Sequence, residues 1–102
     1  MILVDAAYIN NGGGLILLEY LVEILEKENI PVFYIFDERC KDRFTQIPKE
    51  RKCVIKASLF NRWKFYQDNK TNYEKVLCFG NIPPPMRLNV EVYTYFQQKL
   101  FF

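Results

Sequence analysis

The chain has 102 residues, of which half are hydrophobic, 17% aromatic and 25% charged. That composition excludes a disordered segment, a coiled coil and a collagen-like repeat, and the length suits one domain, 1–102, with a thin core. The net charge of +2 conceals a gradient: residues 1–38 hold seven acids and one base, 39–70 hold ten bases and three acids, and 71–102 add +1. Such polarity marks either an anionic partner or a solvated loop and helix face.

The chain contains no histidine, which removes Ser-His-Asp and Cys-His triads, a His-liganded zinc and a histidine general base. Cys40, Cys53 and Cys78 are odd in number, widely spaced and without a Cys-x-x-Cys pair, so neither a disulfide framework nor a Cys-only metal site is expected. Cys53 and Cys78 sit in apolar runs and read as buried small hydrophobes. No apolar run approaches the ~18–20 residues that cross a bilayer. Met1 leads straight into Ile2-Leu3-Val4-Asp5, with no secretory leader, so the expected location is the cytoplasm.

In chain order, Ile2–Ala6 reads as a strand buried on both faces. Ala7–Gly14, with its asparagines and glycines, reads as a loop. Leu15–Glu28 follows as a helix whose polar stripe is Glu19, Glu23, Glu26 and Lys27, stopped by Asn29 and Pro31. Val32–Phe36 is a second buried strand ending at Asp37-Glu38, and a polar, basic connection then runs to about Lys52. Cys53–Ala57 is a third strand. Ser58 can cap a helix with Leu59, Phe60, Trp63 and Tyr66 on its inner side and Arg62 and Lys64 facing elsewhere. Val76–Phe79 and Val90–Phe96 are the fourth and fifth strands, separated by a proline-rich segment. Strands alternating with helices predict an α/β, Rossmann-like three-layer domain with a mostly parallel sheet of about five strands in the order 3-2-1-4-5.

In such sheets ligands bind outside the carboxyl ends of the strands, where the strand order reverses. Here that crevice lies between strands one and four. Asn11, Gly12, Gly13 and Gly14 form one wall, where bare backbone amides at a helix start suit a phosphate. A tight strand-to-helix turn uses the same glycines. Asn81, Ile82 and Pro83, after strand four, form the other wall. The glycine run matches neither G-x-G-x-x-G nor G-x-x-x-x-G-K-[ST].

Leu3-Val4-Asp5 through Asn11-Gly12-Gly13-Gly14-Leu15 resembles the start of the N-terminal domain of glycosyltransferases with the two-Rossmann-domain (GT-B) architecture. The stretch from Tyr73 to Pro85 resembles a second segment of bacterial polysaccharide-type members, and Tyr93 to Phe102 the strand and loop beyond it. Many members carry a His-Asn pair there; this chain has Gln97-Gln98, so no histidine role transfers. The resemblance implies the acceptor-side half of a transferase that moves a sugar from a nucleotide-sugar donor to a saccharide or lipid-linked acceptor. It implies no bound cofactor and no nucleic-acid partner. The basic stretch 39–70, with Trp63 and Phe65 interleaved, would suit peripheral contact with anionic headgroups at the inner face of the membrane. The resemblance puts donor binding in a second domain, which these 102 residues are expected to lack, and the apolar finish Leu100-Phe101-Phe102 would gain about 4–9 kcal/mol on burial. The expectation is therefore a truncated, inactive fragment, with self-association as one way to cover the tail.

Three alternatives stay open. A dinucleotide-binding domain would use the glycines and Asp37, 23 residues after Gly14. A magnesium-dependent nuclease would use the strand-end carboxylates Asp5 and Asp37. A plain interaction module would use neither.

Overall fold

The computed structural model describes residues 1–69, 73–79 and 91–95. Five strands, β1 (Ile2–Ala6), β2 (Val32–Asp37), β3 (Lys52–Ile55), β4 (Lys75–Phe79) and β5 (Glu91–Tyr95), form one sheet in the order β3-β2-β1-β4-β5. Every pairing is parallel, so β1 lies at the centre with β2 and β4 as neighbours. This is the expected α/β, Rossmann-like arrangement and the expected strand order.

Helix α1 (Gly12–Lys27) links β1 to β2 and packs on one face. Its Leu15, Leu18 and Val22 meet Val4 and Ala6 of β1 and Val32, Tyr34 and Phe36 of β2. The chain leaves the helix through Asn29, whose φ of 56° is left-handed, a conformation asparagine tolerates. The Asn29 amide donates to the Glu26 carbonyl at 3.2 Å and the Ile30 amide to the Leu25 carbonyl at 3.1 Å, a Schellman closure. Ile30 then packs against the same core as Leu25. On the opposite face, helix α2 (Leu59–Asn69) covers Leu3, Ile35, Val76 and Cys78 with Phe65 and Tyr66. Ser58 caps it as expected, its Oγ accepting from the Asn61 amide at 3.1 Å.

The structure differs from the expectation in four places. Helix α1 begins at Gly12, so the three glycines form its first turn and the loop shrinks to 7–11. Its exposed side is also less polar than expected, because Ile16, Tyr20 and Ile24 are exposed. The connection 38–51 holds two short 3-10 turns, Glu38–Phe44 and Lys49–Arg51; the first buries Cys40 and Phe44, and the link between them buries Ile47. The Phe44 ring lies on Phe36 with centroids 4.0 Å apart, a burial worth about 1.5–3 kcal/mol. Finally, α2 is turned: Tyr66 points inward as expected, but its inward companions are Arg62 and Phe65, while Phe60 and Trp63 are 67% and 43% exposed. β3 runs Lys52–Ile55 rather than 53–57, and Cys53 is half-buried rather than sealed in the core. No helix of the described residues is long and apolar enough to cross a membrane.

Candidate functional site

β1 ends at the point where the strand order reverses, with Ala6 beside Phe36 of β2 and Asp5 beside Cys78 of β4. The chain then has five residues to turn into α1, and polar contacts hold three of them, Ala7, Ile9 and Asn10. The Ala7 amide donates to Asp5 Oδ1 at 3.2 Å, and the Ile9 amide to the Ala6 carbonyl at 3.1 Å. Cys40 Sγ donates to the Ile9 carbonyl at 3.3 Å, and the Asn10 side chain hydrogen-bonds Asp37.

Nothing local caps the helix that this loop starts. Asn11 is extended, with φ −161° and ψ 177°, and its side chain makes no capping hydrogen bond. No acid lies in the first turn, and the first intrahelical bond runs from the Leu15 amide to the Asn11 carbonyl at 3.4 Å. The preceding amides, those of Gly12, Gly13 and Gly14, thus have no intrahelical carbonyl to reach. Gly12 sits at φ +66°, where a side chain would be strained, and a Cβ built on Gly12 or Gly13 meets nothing within 4 Å. Packing therefore does not explain the absence of side chains there. Gly12 and Gly13 are exposed and Gly14 is buried, so the run presents two open backbone units on a packed third. The result is a partial positive charge facing open space.

The two strand-end carboxylates are both engaged. Asp37 accepts from the Arg39 amide at 2.9 Å and from Arg39 Nε and Nη2 at 3.1 and 2.7 Å. Burial alone would raise its pKa, but Arg39 and Asn10 outweigh it and hold the carboxyl below the usual range. Its oxygens are committed to positioning the loop rather than presented to a ribose.

Asp5 is buried with Arg62, each only 2% exposed. Arg62 Nε donates to Asp5 Oδ2 at 2.7 Å and Tyr66 Oη to the same oxygen at 2.6 Å. Arg62 Nη2 also lies 3.5 Å from Cys78 Sγ, and its guanidinium stands 5.5 Å from the Tyr8 ring centroid. Burial opposes the Arg62 charge, but the carboxylate more than offsets that and raises its pKa. Burial and the Asp5 charge push the Tyr66 phenol far up and the Cys78 thiol to about 11. The Tyr8 hydroxyl, on the loop itself, is buried with no partner among the described residues. Arg62, Tyr66 and Tyr8 escaped the sequence reading. The available signal was Asp5, an acid inside an otherwise apolar strand, which demands a buried donor.

The charge gradient also finds an explanation. All four arginines of 39–70 pair with acids of 1–38: Arg39 with Asp37, Arg43 with Glu19, Arg51 with Glu26 and Arg62 with Asp5. Much of the polarity is therefore internal complementarity between α1, the strand ends and the basic connection. Among the described residues no three His, Cys, Asp or Glu side chains gather as a metal site. Asn81, Ile82 and Pro83, the expected second wall, lie outside the described residues, as do Gln97 and Gln98. Searches of protein-family models, curated proteins and solved structures gave no match.

Proposed function

We propose that this chain is the acceptor-side Rossmann-like domain of a GT-B-type glycosyltransferase of bacterial polysaccharide synthesis. The observation that carries the reading is the uncapped, glycine-built start of α1, open to solvent at the end of the central strand. The likeness of residues 3–15 and 73–85 to that family supports it. In the reaction an acceptor hydroxyl oxygen bonds to the anomeric carbon of a nucleotide sugar as the bond to the diphosphate oxygen breaks. The leaving group takes the electron pair, and the acceptor proton passes to a base. Here the amides of Gly12, Gly13 and Gly14 would face the diphosphate as its charge grows, which is where fixed dipoles stabilise a transition state most. A second Rossmann domain would hold the nucleotide and complete the cleft.

The two enzyme alternatives draw less support from the geometry. A dinucleotide site needs an acid free for the ribose, and Asp37 is clasped by Arg39. A magnesium site needs carboxylate oxygens facing a common point, and Asp5 is occupied by Arg62, Tyr66 and the Ala7 amide. Calorimetric titration of the chain with uridine diphosphate, inorganic pyrophosphate and NADH tests the proposal. Weak saturable binding of both diphosphates, with NADH no tighter, is expected. Tighter NADH binding would transfer the case to a dinucleotide domain.

A further inference from the structure

Among the described residues, no helix covers one flank of the sheet. β3 is the last strand on its side, and α2 reaches toward the centre, where Arg62 and Tyr66 meet Asp5 and Cys78. Between the α2 face of β3 and the outer side of α2 an open groove of about 570 Å³ remains. None of the residues lining it belongs to the loop 7–11 or to the first turn of α1, so it is separate from the site described above.

The lining divides by chemistry. Buried Phe65 and half-buried Phe33, Cys53 and Ile55 supply an apolar floor, with the Phe33 and Phe65 rings stacked at 6.0 Å. Lys52, Lys56 and Lys64 border it against a single acid, Asp68. Lys52 Nζ already donates to the Phe44 carbonyl at 2.9 Å. Lys56 and Lys64 are exposed, and among the described residues neither has an ion-pair partner, unlike every arginine of the same stretch. On the next stripe of α2, Phe60 and Trp63 stack at 6.4 Å and extend the apolar surface outward.

Two unneutralised ammonium groups beside an aromatic recess complement one kind of molecule. We infer that this groove binds a soluble amphipathic anion, an aliphatic or aromatic body lying on Phe33, Ile55 and Phe65 with a phosphate, sulfate or carboxylate head on Lys56 and Lys64. The recess removes the apolar body from water, and the two cations select the head. Neither part suffices alone: inorganic phosphate lacks the body and a neutral amphiphile lacks the head.

The chain carries its own reporters, since Cys53 lies in the groove while Cys40 and Cys78 are buried, and Trp63 is the sole tryptophan. The test follows the alkylation rate of Cys53 by mass spectrometry, with Trp63 emission alongside, as octyl phosphate is added below its micellar concentration. At about ten times Kd, occupancy alone slows alkylation about tenfold. Inorganic phosphate and octyl glucoside should leave the rate unchanged. The doubly substituted Lys56→Gln/Lys64→Gln chain, altered only at exposed side chains, should lose the protection while its circular dichroism is unaltered. Equal protection by octyl glucoside, equal protection by inorganic phosphate, retained protection in the double variant, or none from octyl phosphate would each overturn the inference. Protection that appears only with phosphatidylglycerol vesicles, and not with phosphatidylcholine ones, would overturn it too by assigning this face to a bilayer.

Discussion

Arg62 reaches from the first turn of α2 to Asp5 near the end of β1, Nε to Oδ2 at 2.7 Å, with both side chains all but sealed from water. This pair fastens α2 to the central strand and, through the Asp5–Ala7 bond, sets the first residue of the loop that leads to α1. Its cost and its benefit are both large. A buried ion pair is weak evidence of net stabilisation, but removing one partner strands the other in a low dielectric.

Arg62→Leu and Asp5→Leu are each expected to lower the unfolding free energy by about 3–5 kcal/mol, a large share of a small domain's stability. Urea denaturation checks this. The double variant should lose less than the sum of the two, with a coupling of about 0.5–3 kcal/mol, because it leaves no orphaned charge. Strict additivity would contradict the network.

Acid stability should depend on Asp37 and Glu26. Hydrogen bonds from Arg51 and Tyr34 hold Glu26 below its ordinary range despite partial burial, and Asp37 is likewise depressed, with Arg39 and Asn10 outweighing its burial. A carboxyl with a lowered folded pKa contributes stability fully present above its unfolded value, near 4, and lost as pH falls through the folded value. Thermal melting should be level from about pH 5 to 8 and fall below about pH 4. Asp37→Asn should flatten part of that acid limb. At the alkaline end the sign reverses. Burial raises the Tyr34 and Tyr66 phenols, so their contribution is present below about pH 10 and is lost as pH climbs through the folded values.

The three thiols should separate by accessibility. Burial raises the pKa of Cys40, Cys53 and Cys78, the last to about 11, and only Cys53 is partly exposed. At pH 7.5 a maleimide should modify Cys53 first and slowly, and all three rapidly in denaturant. Fast labelling of Cys78 in the native chain would contradict the packing around Asp5.

Much of this architecture is written in local pattern. Ile2–Ala6 and Val32–Phe36 are short apolar runs with clear ends, and their boundaries follow directly. Asn29 and Pro31 stop α1 by backbone conformation alone. The orientation of α2 was not legible, because aromatic residues lie on both its sides. Phe60 and Trp63 are as hydrophobic as Phe65 and Tyr66, and nothing within the helix selects a face. The choice is made by Asp5, 57 positions away from Arg62, whose buried carboxyl needs that guanidinium. The connection 38–51 hid its role similarly. Its charges suggest a solvated loop, yet Phe44 and Ile47 fill the core while Arg43 and Arg51 answer acids on α1. The glycine run gave the site its position but not its helical start.

Gly13→Ala separates stability from binding. The new methyl meets open space and φ is ordinary, so the substitution should stabilise the fold by about 0.4–1 kcal/mol. The same methyl would crowd an anion at the amide and weaken its affinity. A variant that is both more stable and a weaker diphosphate binder is the expected outcome, read by melting and calorimetry together.

The most direct test of the proposed phosphate seat is a nuclear magnetic resonance titration of the nitrogen-15-labelled chain with uridine diphosphate. Saturable shifts concentrated on the amides of Gly12, Gly13 and Gly14, reproduced by pyrophosphate and absent with uridine, are the predicted result. Shifts confined to other residues, or unmoved glycine amides at saturating diphosphate, would contradict it.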